Sequence, residues 1–194
     1  MIKNWKPIVL ISIVGVISTI GLSLADIWQP YEFEPKNQRY EYNITTFQEG
    51  TEKVSTYVLS MEKRENGRME VSVKTTWTAE QDELDQQILG GWWAAGAFGL
   101  TMAFINPMYA AFFGGLDMHV GNKMSFFGAG VVEVTGTEKV AGRTGFVCVL
   151  RNQDAGPVLG RYVVDPQVPL PLKTELYEED GTKQYETELQ HIEF

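Results

Sequence analysis

The chain offers little with which to do covalent or redox chemistry. Its 194 residues hold one cysteine, Cys148, and two histidines, His119 and His191. A lone thiol forms no internal disulfide, so the fold needs no oxidative staple. Its neighbours Phe146, Val147, Val149 and Leu150 mark it as a buried, inert thiol in a strand. No serine stands in a nucleophile elbow, and no glycine-rich loop leads from a strand into a helix. No catalytic residue and no enzymatic activity is therefore expected. His119 has one acidic neighbour, Asp117, two residues away, which is too few ligands for a metal, and no cofactor is implied. Positive charge is scarce as well. The net charge is −9, and every acidic residue lies after position 25. Setting aside Lys3 and Lys6 leaves 14 basic and 25 acidic residues, a charge of −11. Such a surface repels nucleic acid and anionic lipid headgroups. Internal repeats and low-complexity tracts are missing, and the length fits one domain with a leader.

Apolar sequence, in contrast, is concentrated. Ile88 to Leu116 runs 29 residues without a charge, ILGGWWAAGAFGLTMAFINPMYAAFFGGL. As a helix it places aromatic side chains on every side, which suits lipid, a lipid-like ligand or a deep protein groove. A helix is expected to start at a capping box, Thr78 to Gln81, with Glu80, Asp82 and Glu83 in its first turn. Asn106-Pro107 predicts a break with a second short helix after it, ended by Gly114-Gly115.

The N-terminus reads as a targeting segment. Lys3 and Lys6 precede an apolar run from Pro7 to Leu24, followed by Ser23-Leu24-Ala25, a small-residue site of the cleavable type. Residues 1–25 are thus either a removable signal peptide or an uncleaved signal anchor, since about 18 residues suffice to cross a bilayer. In both cases the positive end stays in the cytoplasm and the rest is exported. The expected location is the cell membrane, through one N-terminal anchor, or a secreted or periplasmic site if cleavage follows Ala25. Residues 26–38, with Pro30 and Pro35, read as a linker.

The remainder, 39–194, reads as one β-rich domain with the apolar helical insert at 79–116. Arg39 to Phe47 alternates, with Tyr40, Tyr42, Ile44 and Thr46 on one face. Val54 to Lys63 is a second strand. Asn66-Gly67 predicts a two-residue hairpin, because both positions tolerate positive φ. The returning strand turns Met69, Val71, Val73, Thr75 and Trp77 one way, toward a half-buried sheet with one wet face. After Asp117, strands are expected within Lys123 to Val134, at Val140 to Leu150 after a turn at 136–139, and at Arg161 to Asp165. A last hairpin joins Leu170–Tyr177 to Lys183–Ile192 across Glu179-Asp180-Gly181, with Tyr185, Thr187, Leu189 and His191 on one face. Gly128-Ala129-Gly130 suggests a bulge or tight bend. The acidic turn at Glu178 to Asp180 reads as a solvated hairpin tip. The sequon Asn43-Ile44-Thr45 falls inside a strand, a poor place for glycosylation.

Length arithmetic separates two readings of the apolar segment. Ile88 to Ile105 would span roughly 27 Å as a helix, close to one bilayer core. A single crossing would strand the two β-blocks on opposite sides as small, poorly stable sheets. A sheet shared by both blocks is the preferred reading, with the segment packed against it. Gly91, Ala95 and Gly99 recur every four residues and would let another backbone approach.

The later half has a cadence of its own: Val120-Gly121 leading to Phe126, then VEVTGTEKVAGRTGFVCVL, then RYVVDPQVPLPLKTELYEEDGTKQYETEL. This resembles the exported half-barrel proteins related to bacterial outer-membrane lipoprotein carriers, weakly over 39–78 and better over 119–192. The resemblance implies a curved antiparallel sheet around helices, with a concave face that binds acyl chains. The insert here is far more apolar than a carrier's amphipathic lid helices, and no family ligand residue maps onto a numbered position.

The fold expected is therefore mainly β (α+β): a curved antiparallel half-barrel with an apolar helical element on its concave face and an N-terminal hydrophobic helix. The expected function is a membrane-tethered, extracytoplasmic protein binding membrane lipid or another hydrophobic ligand. Trp92, Trp93, Phe98, Met102, Phe104, Phe112 and Phe113 would line or plug the site. The alternative is a non-catalytic accessory or assembly subunit that contacts a membrane protein partner through 88–116.

Overall fold

A computed structural model describes residues 27–30, 32–48, 51–78, 113, 115–126 and 130–194. Nine strands are described: β1 (Gln38–Gln48), β2 (Thr51–Lys63), β3 (Met69–Trp77), β4 (Lys123–Phe126), β5 (Gly130–Val140), β6 (Arg143–Arg151), β7 (Val158–Val164), β8 (Lys173–Tyr177) and β9 (Lys183–Glu193). They form one open, curved antiparallel sheet in the order β3-β2-β1-β9-β8-β7-β6-β5-β4. Each block is a meander of neighbouring hairpins. The seam between them is β1 on β9, with Ile44 opposite Thr187 and Thr46 opposite Tyr185. Both blocks thus share one sheet, as the preferred reading of the sequence requires. The N-terminal helix and the helical insert fall outside the described residues, apart from Phe113, Gly115 and Leu116 at the insert's end. Gly115 holds φ at 91°, in the left-handed region.

Directly opposed residues of antiparallel strands project to the same face, so the register fixes the inner surface. One row crosses eight strands as Trp77, Ser55, Ile44, Thr187, Thr174, Tyr162, Cys148 and Val134. A second row sets Val73, Leu59 and Tyr40 side by side. Tyr40, Tyr42 and Ile44 are buried, as the alternation of β1 requires. The opposite face carries charge. Arg161 on β7 pairs with Glu175 on β8 at 2.9 Å and with Glu138 on β5. Lys183 reaches Glu175 at 2.5 Å and Glu186 at 2.6 Å, and Lys173 reaches Glu188 at 2.8 Å. Asn43 of the sequon lies on a strand paired on both sides, to Thr56 and to Glu188.

Four local expectations change. The Asn66-Gly67 hairpin is not a two-residue loop. Arg64 and Arg68 close three residues between them, with Gly67 N–H donating to Arg64 C=O at 2.9 Å and only Gly67 at positive φ, 77°. The Asn66 side chain is used otherwise: its Oδ1 accepts the Arg68 N–H at 3.0 Å, an Asx turn. The β8–β9 hairpin repeats this device, with Asp180 Oδ1 accepting from Thr182 N–H and Gly181 at φ 87°. The turn expected at 136–139 is strand instead. Gly136 follows a bulge at Thr135, and the chain reverses at Ala141-Gly142, both at positive φ in the manner of a type I′ turn. A bulge between Leu189 and His191 shifts β9, so Ile192 and not His191 opposes Tyr40. His191 is exposed beside Glu193. Finally, Val71 and Val73 remain 58% exposed although they share a face with buried Met61 and Leu59, because β3 is an edge strand.

Candidate functional site

Two apolar clusters pack on the sheet, the first reaching through Val147, Val149 and Val163 to the face that bears Arg161. One gathers Tyr40, Tyr42, Tyr57, Leu59, Met61 and Leu189, together with Val168, Leu170 and Leu172 from the segment before β8. The other gathers Trp28, Phe113, Leu116, Met118, Val132, Val134, Cys148, Tyr162 and Val164. Between them the register places a polar band on β8 and β9. Thr174 opposes Thr187, and Tyr185 stands two residues from Thr187 on the same face. Thr174 is 1% exposed and Thr187 is fully buried. The hydroxyls of Thr174, Thr187 and Tyr185 have no hydrogen-bond partner among the described residues. Leaving one such group unpaired costs on the order of 1–3 kcal/mol.

The other inner-face polar groups are better served. Tyr42 donates its hydroxyl to the Pro171 carbonyl at 2.9 Å, and Tyr40 donates to Gln38 Oε1 at 2.5 Å. The Trp28 indole N–H donates to the Val168 carbonyl at 2.7 Å, tying the chain before β1 to the loop before β8. Trp28 meets Phe113 edge-on with ring centroids 5.1 Å apart, and Phe113 meets Tyr162 at 5.4 Å, an arrangement favoured by the ring quadrupoles. Burial pushes the phenols of Tyr40, Tyr42, Tyr57 and Tyr185 upward, so all stay neutral donors at physiological pH. Burial also pushes the Cys148 thiol up to about 12; it lies 3.8 Å from Met118 Sδ. A thiol so placed is not a nucleophile.

At one end of the sheet, two polar grooves of about 520 Å³ and 390 Å³ flank Phe194. Glu32, Glu34, Lys36 and Arg143 border the larger. Arg143 is bound to Asp165 at 2.7 Å, and Lys36 lies over the Phe194 ring at 4.7 Å. Their charges are thus satisfied locally. No group of three or more His, Cys, Asp or Glu among the described residues could hold a metal, and no described helix is long and apolar enough to cross a membrane.

Of the seven residues expected at the ligand site, only Phe113 is described; it is 1% exposed, between Trp28 and Tyr162. Trp92, Trp93, Phe98, Met102, Phe104 and Phe112 lie outside the described residues. Sequence reasoning missed Trp28, which stands in the segment read as a linker. Its size among polar neighbours was the available signal. It missed the hydroxyl band as well, because threonine in a strand is ordinarily read as a β-former.

No protein-family model matches the chain, and no curated protein matches it in sequence. Among solved structures it is similar to MucB in complex with MucA(peri), with TM-score 0.44 and 15% identity over 80% of this chain and 49% of that one. It is also similar to the Pseudomonas aeruginosa MucA/MucB complex, with TM-score 0.45 and 16% identity over 81% and 51%. MucB alone gives TM-score 0.39 and 14% identity over 81% and 53%. The chain thus spans about half the length of the structures it matches.

Proposed function

We propose that this chain is a non-catalytic binding protein that works outside the cytoplasm, held at the membrane by its N-terminal apolar segment, and takes a lipid or another hydrophobic ligand on the inner face of its curved sheet. The observation that carries the reading is the band of buried hydroxyls from Thr174, Thr187 and Tyr185, which have no partner among the described residues and lie between two apolar clusters. Apolar surface binds acyl chains at about 25 cal/mol per Å² buried. The hydroxyls add donors for a carbonyl or ester oxygen, which a purely hydrophobic core does not need. The test is native mass spectrometry of the full chain, gently extracted from membranes. Adducts with the mass of acyl-chain amphiphiles are expected, and repeated spectra of empty protein would count against the reading. Replacing Thr174→Val and Thr187→Val together keeps side-chain shape, should leave the circular dichroism spectrum unchanged, and should weaken binding of a fluorescent fatty-acyl ester about tenfold. A second reading, an accessory subunit of a membrane complex, draws on the exposed Val71 and Val73 of β3. Migration with a large complex of other proteins in native gels would favour it.

A further inference from the structure

Beyond ligand binding, the two edges that the sheet has among the described residues differ in kind. β4 is four residues long, while β3 is nine residues long and exposed at seven of them. A long edge strand presents unpaired backbone N–H and C=O groups, and natural sheets shield such edges with proline, bulges or inward charges. β3 has none of these, and its only charged side chains are the opposite pair Glu70 and Lys74. Its inner-face residues are apolar at Val71 and Val73, each 58% exposed, and its outer face carries one acid and one base, Glu70 and Lys74.

The sequence of β3 is self-complementary about Ser72. In an antiparallel pairing of two copies with the twofold axis at Ser72, residue 70 opposes residue 74, 71 opposes 73, and 69 opposes 75. Both Glu70–Lys74 pairs then join opposite charges on the outer face, and the four valines meet on the inner one. Shifting the axis to position 71 would set Arg68 against Lys74. Shifting it to position 73 would set Glu70 against Thr76 and lose both ion pairs. Glu70 already accepts from Arg64 at 2.5 Å, so Lys74 of the second copy would complete a three-membered cluster. We infer that β3 is the docking edge for a second copy of this chain, joining two nine-stranded sheets into one continuous eighteen-stranded sheet around Ser72.

Sedimentation of the full chain in a mild detergent should show a dimer at micromolar concentration. Glu70→Lys or Lys74→Glu alone sets like charges opposite at both sites and should weaken the dimer about tenfold. The double variant exchanges the charges and should restore it. Ser72→Cys brings two thiols within about 5 Å across the axis and should cross-link under a mild oxidant. Thr76→Cys leaves its thiols about 27 Å apart and should not. Circular dichroism of each variant separates loss of docking from loss of fold. A monomer at all concentrations overturns the inference, as does association with a different protein only. A dimer indifferent to the charge exchange and to Ser72→Cys overturns it too, since another surface would then be responsible.

Discussion

Ala141 holds φ at 48°, the one described non-glycine residue in the left-handed region. An alanine there carries about 1–2 kcal/mol of Cβ strain that asparagine, bonding locally, tolerates better. The adjoining Gly142, at φ 81°, completes the turn. Ala141→Asn should therefore create the favoured Asn-Gly pair and raise stability by about 0.5–1 kcal/mol, seen as a higher urea midpoint with an unchanged slope. A fall in the midpoint would show that the turn is not type I′. Cys148 yields a second prediction at this scale. The buried thiol should resist alkylation at pH 8 and react fully once urea unfolds the chain.

Among elements, the outer-face ion pairs tie β5, β7, β8 and β9 across the sheet. Glu175 is their centre, with a side chain only 9% exposed. Burial alone would raise its carboxyl pKa. Lys183 and Arg161 outweigh that and hold it below the usual range. A depressed carboxyl stabilises the fold above its unfolded pKa and loses that contribution as pH falls through the folded value. Arg161→Met should cost about 1–3 kcal/mol at pH 7, because a shielded carboxylate loses a charged partner. The deficit should shrink at acid pH, where protonation removes the Glu175 charge. Denaturation midpoints at neutral and at acid pH check this; an equal deficit at each would mean that packing and not charge sets the loss.

For the whole molecule, stability hangs on a seam between the first and last strands, so the core forms only when distant parts of the chain meet. That core is rich in weakly acidic groups held neutral. For Cys148 the folded pKa of about 12 lies above the ordinary thiol value of 9.0. The unfolded state then holds fewer protons between these values, and stability, complete below pH 9, should fall as pH rises toward 12. The slope approaches about 1.4 kcal/mol per pH unit from this thiol, and the buried tyrosines steepen it above pH 10. Urea midpoints between pH 8 and 10 should show the decline, and Cys148→Ala should flatten it between pH 9 and 10.

What the sequence determined by itself is local. Alternation in Arg39 to Phe47 assigned Tyr40, Tyr42 and Ile44 to the buried face, since period-two spacing leaves a strand no other choice. The apolar setting of Cys148 buried it, and Asp180-Gly181 turned the last hairpin. Asn66-Gly67 marked its hairpin too, though the loop length escaped, because Asn66 caps the turn through its side chain instead of adopting positive φ. Only the tertiary structure decided which strand became an edge, and so left Val71 and Val73 in the open with a pattern as apolar as that of β2. It alone joined β1 to β9, drew Trp28 across to Val168, and set Thr174 against Thr187. Pairing partners far apart in the chain are chosen by closure of the whole sheet, and no window of neighbouring residues encodes that choice.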